Sequence, residues 1–152
     1  MTVSSAFYGV TLRKFLDGTI VSSGMQSTNT WVLLVDNTEA PDFDGDTNRS
    51  EILSEITGSG YTAGGAQLST FGTVTFTTPT SQLFNFTSGN PAWATSTISN
   101  AEAAVLYNST GVAANDELFL MSDFGTAVST ANGTLTVTVD SNGWVRWDYN
   151  PN

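Results

Sequence analysis

The sequence predicts an all-β domain: a jelly-roll-like β-sandwich of about eight or nine short strands with one or two short helices. Three observations predict it. Short runs rich in Val, Thr, Phe and Trp recur along the chain, bounded by Gly, Asn, Asp and Pro, the pattern of strands separated by turns. Residues 103–107, Ala-Ala-Val-Leu-Tyr, are apolar without a break, as expected of a strand covered on both faces. Residues 134–140 alternate Leu135, Val137 and Val139 with threonines, the period of two that marks a half-buried strand.

The elements follow in order. Residues 1–7 are uncharged and lack periodicity; they are read either as a frayed terminus or as an arm that adds to a neighbour, ahead of a single domain at 8–152. In 10–16, Leu12 and Phe15 stand three apart and Asp17-Gly18 follows, which fits a short helix, with a strand as the alternative. A Ser/Gly/Asn-rich loop then leads to the strand 31–35, Trp-Val-Leu-Leu-Val. Thr47 or Asn48 is placed to cap a helix ending near Ile56, with Ile52 and Ile56 on one face.

Residues 57–65 carry four glycines and read as the most flexible loop of the chain. They lack the Gly-Lys-Ser/Thr that would make a phosphate cradle. Strands are expected at 67–69, 72–78, 83–86 and 93–98, and then at 103–107 and 117–123 joined by a polar loop. Residues 124–131 read as a loop. The small side chains of Ala103 and Ala104 would let a neighbouring layer approach closely. The last expectation is a hairpin: strands 134–140 and 144–149 folded about Asn142-Gly143, a pair suited to a tight type I′ turn. Trp144 falls on the more polar face of the returning strand. It is read either as an exposed aromatic for glycan binding or as cover for a loop or second layer.

Composition removes several functions. The chain has 152 residues with no cysteine and no histidine, so disulfides, thiolate metal sites and histidine-based triads are excluded. Four Lys and Arg stand against fourteen Asp and Glu, a net charge of −10. The cations Arg13, Lys14, Arg49 and Arg146 are scattered, which argues against nucleic acid and anionic membrane as partners. No run approaches the roughly 20 apolar residues of a bilayer span. The N-terminal residues resemble no secretory leader, so synthesis in a cytosol is the expectation.

Two constellations deserve chemistry. Asp42, Asp44, Asp46 and Asn48 alternate oxygen-bearing side chains around Gly45, as a calcium loop would. The glycine and glutamate positions of an EF-hand loop are instead Thr47 and Leu53, and a solvated acidic turn is the plainer reading. Calcium is the one cofactor the residues bring to mind. Paired carboxylates hydrolyse glycosides without histidine, and Glu39, Glu51, Glu55, Glu102 and Glu117 are available. Only Glu102 stands beside an apolar run, and no enzyme activity is expected.

Several segments together carry a family likeness. They are Tyr8, Leu12 through Ile20, Trp31 through Asp36, Leu53 through Ile56, Gly64-Gly65, Trp93, Ala103 through Tyr107 with Thr110-Gly111, Leu118 through Asp123, and Gly133 through Val139. In that order and spacing the chain resembles the jelly-roll decoration, or cement, proteins on the outside of tailed-phage capsids. The resemblance implies a non-enzymatic virion protein, made in the host cytoplasm, that bridges copies of a major capsid protein as a small homo-oligomer. Neck, tail or baseplate placement is the alternative within the same particle. A calcium-dependent glycan-binding sandwich using Trp144 is the alternative from another class. For partner contact the expected residues are the arm Thr2, Val3, Ser4, Ser5, Ala6 and Phe7, and Tyr61 in the glycine loop.

Overall fold

In the computed structural model, residues 5–19, 25–72 and 82–149 are described, with backbone only for 82–85 and 146–149. Among them the elements run β1 (Ala6–Phe7), α1 (Gly9–Leu16), β2 (Thr30–Val35), β3 (Gly58–Ser59), β4 (Ala66–Gln67), β5 (Gln82–Phe86), β6 (Ala92–Ile98), β7 (Ala101–Asn108), β8 (Glu117–Val128), β9 (Gly133–Thr136) and β10 (Val145–Tyr149). The arm residues Thr2, Val3 and Ser4, and the strand expected at 72–78 from residue 73 onward, lie outside the described residues.

The apolar run at 103–107 belongs to β7, the middle strand of a five-stranded sheet ordered β1-β8-β7-β2-β4. All its pairings are antiparallel. Successive side chains of a strand point to opposite faces, and here both faces are covered. Leu33, Val35, Ala103, Val105, Tyr107, Leu118 and Met121 enter one core with Tyr8, Val10 and Ile52. Val32, Leu34, Ala104, Leu106, Phe119 and Leu120 enter the other with Phe86, Trp93, Ile98 and Leu135. The second core is closed by a further layer, formed by the sheet β3-β6-β9 and the pair β10-β5. The fold is an all-β sandwich with a helix and a loop packed on its outer face, which is why the strands of the middle layer read as unbroken apolar runs.

Irregularities in the strands keep side chains on their cores. Leu106 pairs with Leu120 but Tyr107 pairs with Leu118, so Phe119 is the extra residue of a bulge and shares a core with Leu120. In β6, Thr95 has φ 52° and the register slips between Trp93 and Ser96. Trp93, Ser96 and Ile98 are buried as a result, a spacing that simple alternation would not allow.

Ala103 and Ala104 are fully buried on opposite faces of β7. Ala104→Leu is expected to lower stability by roughly 1–3 kcal/mol through overpacking between the layers. Urea unfolding checks this, and an unchanged midpoint would mean that the second layer yields.

Three expectations are corrected. The helix expected to end near Ile56 is only a 3-10 turn, Arg49–Glu51. After it the Glu39 carboxylate accepts the N–H groups of Leu53 and Ser54, while Asp36 N bonds Ser54 O and Ile56 N bonds Leu34 O. The chain is drawn out along β2, and Ile52 and Ile56 enter different cores. The loop expected at 124–131 begins late, because β8 continues to Val128 with residues 124–127 bulged out between the pairs Ala103–Asp123 and Ala101–Val128. The closing hairpin does not form. The turn at 140–143 is present, with Gly143 N donating to Asp140 O at 2.7 Å, but β9 pairs with β6 and β10 with β5. Trp144 N donates to Phe86 O at 2.7 Å, and a Cβ at Gly143 would lie 2.1 Å from that same oxygen. Residue 143 therefore docks against β5, and that tertiary partner prevails over the local one.

The short helix is present, with Val10 and Thr11 buried. Thr11 Oγ1 donates to Leu118 O at 2.6 Å, tying α1 to β8, while Leu16 remains largely exposed. The helical period was readable, but the buried face is one residue round from the leucines.

Candidate functional site

One end of the five-stranded sheet is closed by a polar clamp. The 3-10 turn brings Arg49 to Asp116, just before β8, with Nε donating to Oδ2 at 2.8 Å. Asp116 is fully buried, and its other oxygen accepts Thr110 N at 2.6 Å and Thr110 Oγ1 at 2.9 Å. Burial alone would raise this carboxyl, but the Thr110 N–H and the Arg49 guanidinium outweigh it and hold it below the ordinary carboxylate range. The guanidinium also lies 5.2 Å from the centre of the Tyr107 ring. Burial pushes the Tyr107 phenol up to about 12, so it stays protonated and donates to Gly64 O at 2.7 Å.

The glycine loop is held from its other side. Glu55 Oε1 accepts Gly64 N at 2.5 Å and the Tyr61 hydroxyl at 2.9 Å. The same hydroxyl accepts Leu34 N at 3.0 Å. Burial raises the Tyr61 phenol strongly, and its ring stands 5.8 Å from Trp93. The loop that composition marks as most flexible is thus bonded to β2, β7 and the 49–55 segment. Tyr61, expected at a partner surface, has its ring against the core and its hydroxyl engaged within the chain.

The acidic turn also folds onto itself. Asp42 Oδ1 accepts Asp44 N and Gly45 N, and Asp46 Oδ2 accepts Asp42 N. Glu51 Oε2 accepts Thr47 N at 2.5 Å and Asn48 N at 2.7 Å, which keeps its carboxyl below the usual range. Asn48 completes a capping box with Glu51. Among the described residues no three acidic side chains gather as a metal would need. Asp42, Asp44, Asp46 and Asn48 thus form a self-bonded acidic turn, the plainer of the two readings, in which Asp42 and Asp46 oxygens hold turn amides.

Residues 5–7 are already partnered. Ala6 and Phe7 pair with Met121 and Leu120 of the chain's own β8, and Ser5 Oγ accepts Asp123 N at 2.8 Å. Ser5, Ala6 and Phe7 are thus taken up by the edge of the chain's own β8.

Trp144 is half-buried and packs against the core of the two layers. Its Nε1–H donates to Ser88 Oγ at 2.9 Å, so the ring packs on the second layer with part of its surface open.

Of the five glutamates, four are engaged in tying the fold: Glu39, Glu51 and Glu55 as above, and Glu117 in an ion pair with Lys14 at 2.7 Å. What sequence reasoning missed is the Arg49–Asp116 pair, whose members stand 67 residues apart. The available signal was charge scarcity, since one of only four cations lies in a capping turn. No protein-family model, no curated protein and no solved structure matches the chain.

Proposed function

We propose that the chain is a non-enzymatic structural protein of a tailed-phage virion, a decoration protein that fastens onto the outside of the capsid shell and braces neighbouring capsid subunits. The observation that carries the reading is where Glu39, Tyr107 and Asp116, all buried, and the half-buried groups beside them go. Glu39, Glu55 and Asp116, with Tyr61 and Tyr107, are closed on the chain's own loops, which stiffens the sandwich rather than preparing a reacting centre. The sequence likeness to decoration proteins and the net charge of −10, suited to an outer surface and poorly suited to lining packaged DNA, support it further.

A decoration protein acts by linkage: it binds the assembled shell and not the separated subunits. A site held at about 100 times its dissociation constant gains roughly 2.7 kcal/mol, and a shell repeats the site many times. Empty shells of the encoding virus are expected to co-sediment with the chain saturably, at a copy number set by the shell's symmetry, and to rupture at a higher temperature when coated. Shells that neither bind the chain nor change in rupture temperature would refute the reading.

A further inference from the structure

Between the five-stranded sheet and the start of β10 runs a groove in two parts. One, of about 190 Å³, has walls from Phe7, Leu120, Val145 and Trp144. The other, of about 250 Å³, is bordered by Phe124, Trp144, Asp123 and Asp140. Ser122 and Trp144 line both, so the two parts lie side by side. The indole is fixed in place by its bond to Ser88 and by the Trp144 N bond to Phe86 O. The two carboxylates are also oriented: Asp123 Oδ1 accepts Gly125 N at 2.7 Å, and Asp140 Oδ1 accepts Asn142 N at 2.8 Å.

Neither aspartate is in an ion pair among the described side chains. Among the described residues the ion pairs are Lys14 with Glu117 and Arg49 with Asp116. The groove thus offers an apolar half next to a half lined by two carboxylates outside those ion pairs and by two aromatic rings. We propose that it takes an extended segment of a partner protein that presents an apolar side chain and, beside it, an arginine or lysine. The apolar side chain fills the Phe7–Leu120–Val145 part. The cation lies against Trp144 or Phe124, between the two carboxylates, where both cation–π attraction and charge complementarity act. A neutral sugar would also stack on an indole, but it leaves the paired charge unanswered. On the reading above, the partner is a protein of the surface to which the chain attaches.

The test uses the whole ¹⁵N-labelled chain and the Trp144 indole N–H resonance, assigned by its loss in Trp144→Phe. The probe is a blocked hexapeptide alternating leucine and arginine. The resonance is expected to move saturably. Exchanging each arginine for citrulline should weaken binding about tenfold, as should Asp123→Asn with Asp140→Asn. Asparagine keeps the Oδ1 acceptor that holds each turn, so the double variant is expected to fold.

Four outcomes would overturn the proposal: equal affinity for the citrulline peptide; a larger shift with neutral methyl glycosides; a shift with protein concentration alone, which would put a second copy in the groove; or the same shift on deleting residues 1–4, which would put the chain's own terminus there. Co-sedimentation with shells separates the two readings. Undiminished attachment of the double variant would remove the groove and leave the decoration role. Peptide binding by a chain that attaches to no shell would do the reverse.

Discussion

Gly65→Ala is expected to destabilise the protein by roughly 4 kcal/mol, at the severe end for a single substitution. Gly65 is buried, has φ +79°, and packs where β4 begins against β2. A Cβ there would stand 1.9 Å from the carbonyl oxygen of Val32 and 2.7 Å from Leu33 Cα. Those are backbone atoms of a strand paired along its length with β7, so relief requires moving the central sheet. Gly111→Ala is the control: its φ is +84° but a Cβ there meets nothing within 4 Å. It should lose only the backbone penalty of about 1 kcal/mol. Chemical denaturation of both variants checks the claim, and equal losses would show that conformation rather than contact governs the site.

Asp116→Ala is expected to lose about 3 kcal/mol. The substitution strands the partly buried Arg49 guanidinium and frees the Thr110 N–H. Adding Arg49→Met should recover part of the loss, because the stranded charge goes with it. The same pair predicts acid behaviour. The Asp116 carboxyl is held below its ordinary value of 3.8. Its contribution is therefore complete above about pH 4 and vanishes as pH falls through the lower value of the folded state. The acid limb of the stability curve should be shallower in Asp116→Ala than in the native chain. Coincident limbs would assign acid unfolding to other carboxylates.

The layered β architecture was legible because burial leaves its mark on composition. The run at 103–107 and the strand at 31–35 are apolar at every position since two different cores claim alternate residues. Pairing partners were less legible. Asn142-Gly143 is a sound turn signal, and the turn exists, yet the strands flanking it join different neighbours. Sequence reports a local preference, while the docking of Gly143 onto Phe86 depends on a segment more than fifty residues earlier. Ile52 and Ile56 mislead for a related reason: helical spacing was read where Glu39 stretches the backbone from outside. The clamp was hidden most deeply. Glu55, Tyr61, Gly64, Tyr107 and Asp116 carry no shared motif and meet only through the fold.

The order in which the central sheet is stitched bears on biosynthesis. Its strands join residue 6 to 121 and residue 31 to 107, so most of the polypeptide must emerge from the ribosome before the first and last partners can meet. Such distant pairings make for slow closure. Through much of translation the valine- and leucine-rich stretch at 32–35 has only the two-residue β4 for a partner strand, and the acidic residues from 36 to 46 are the nearest solubilising charge that the nascent chain can offer it.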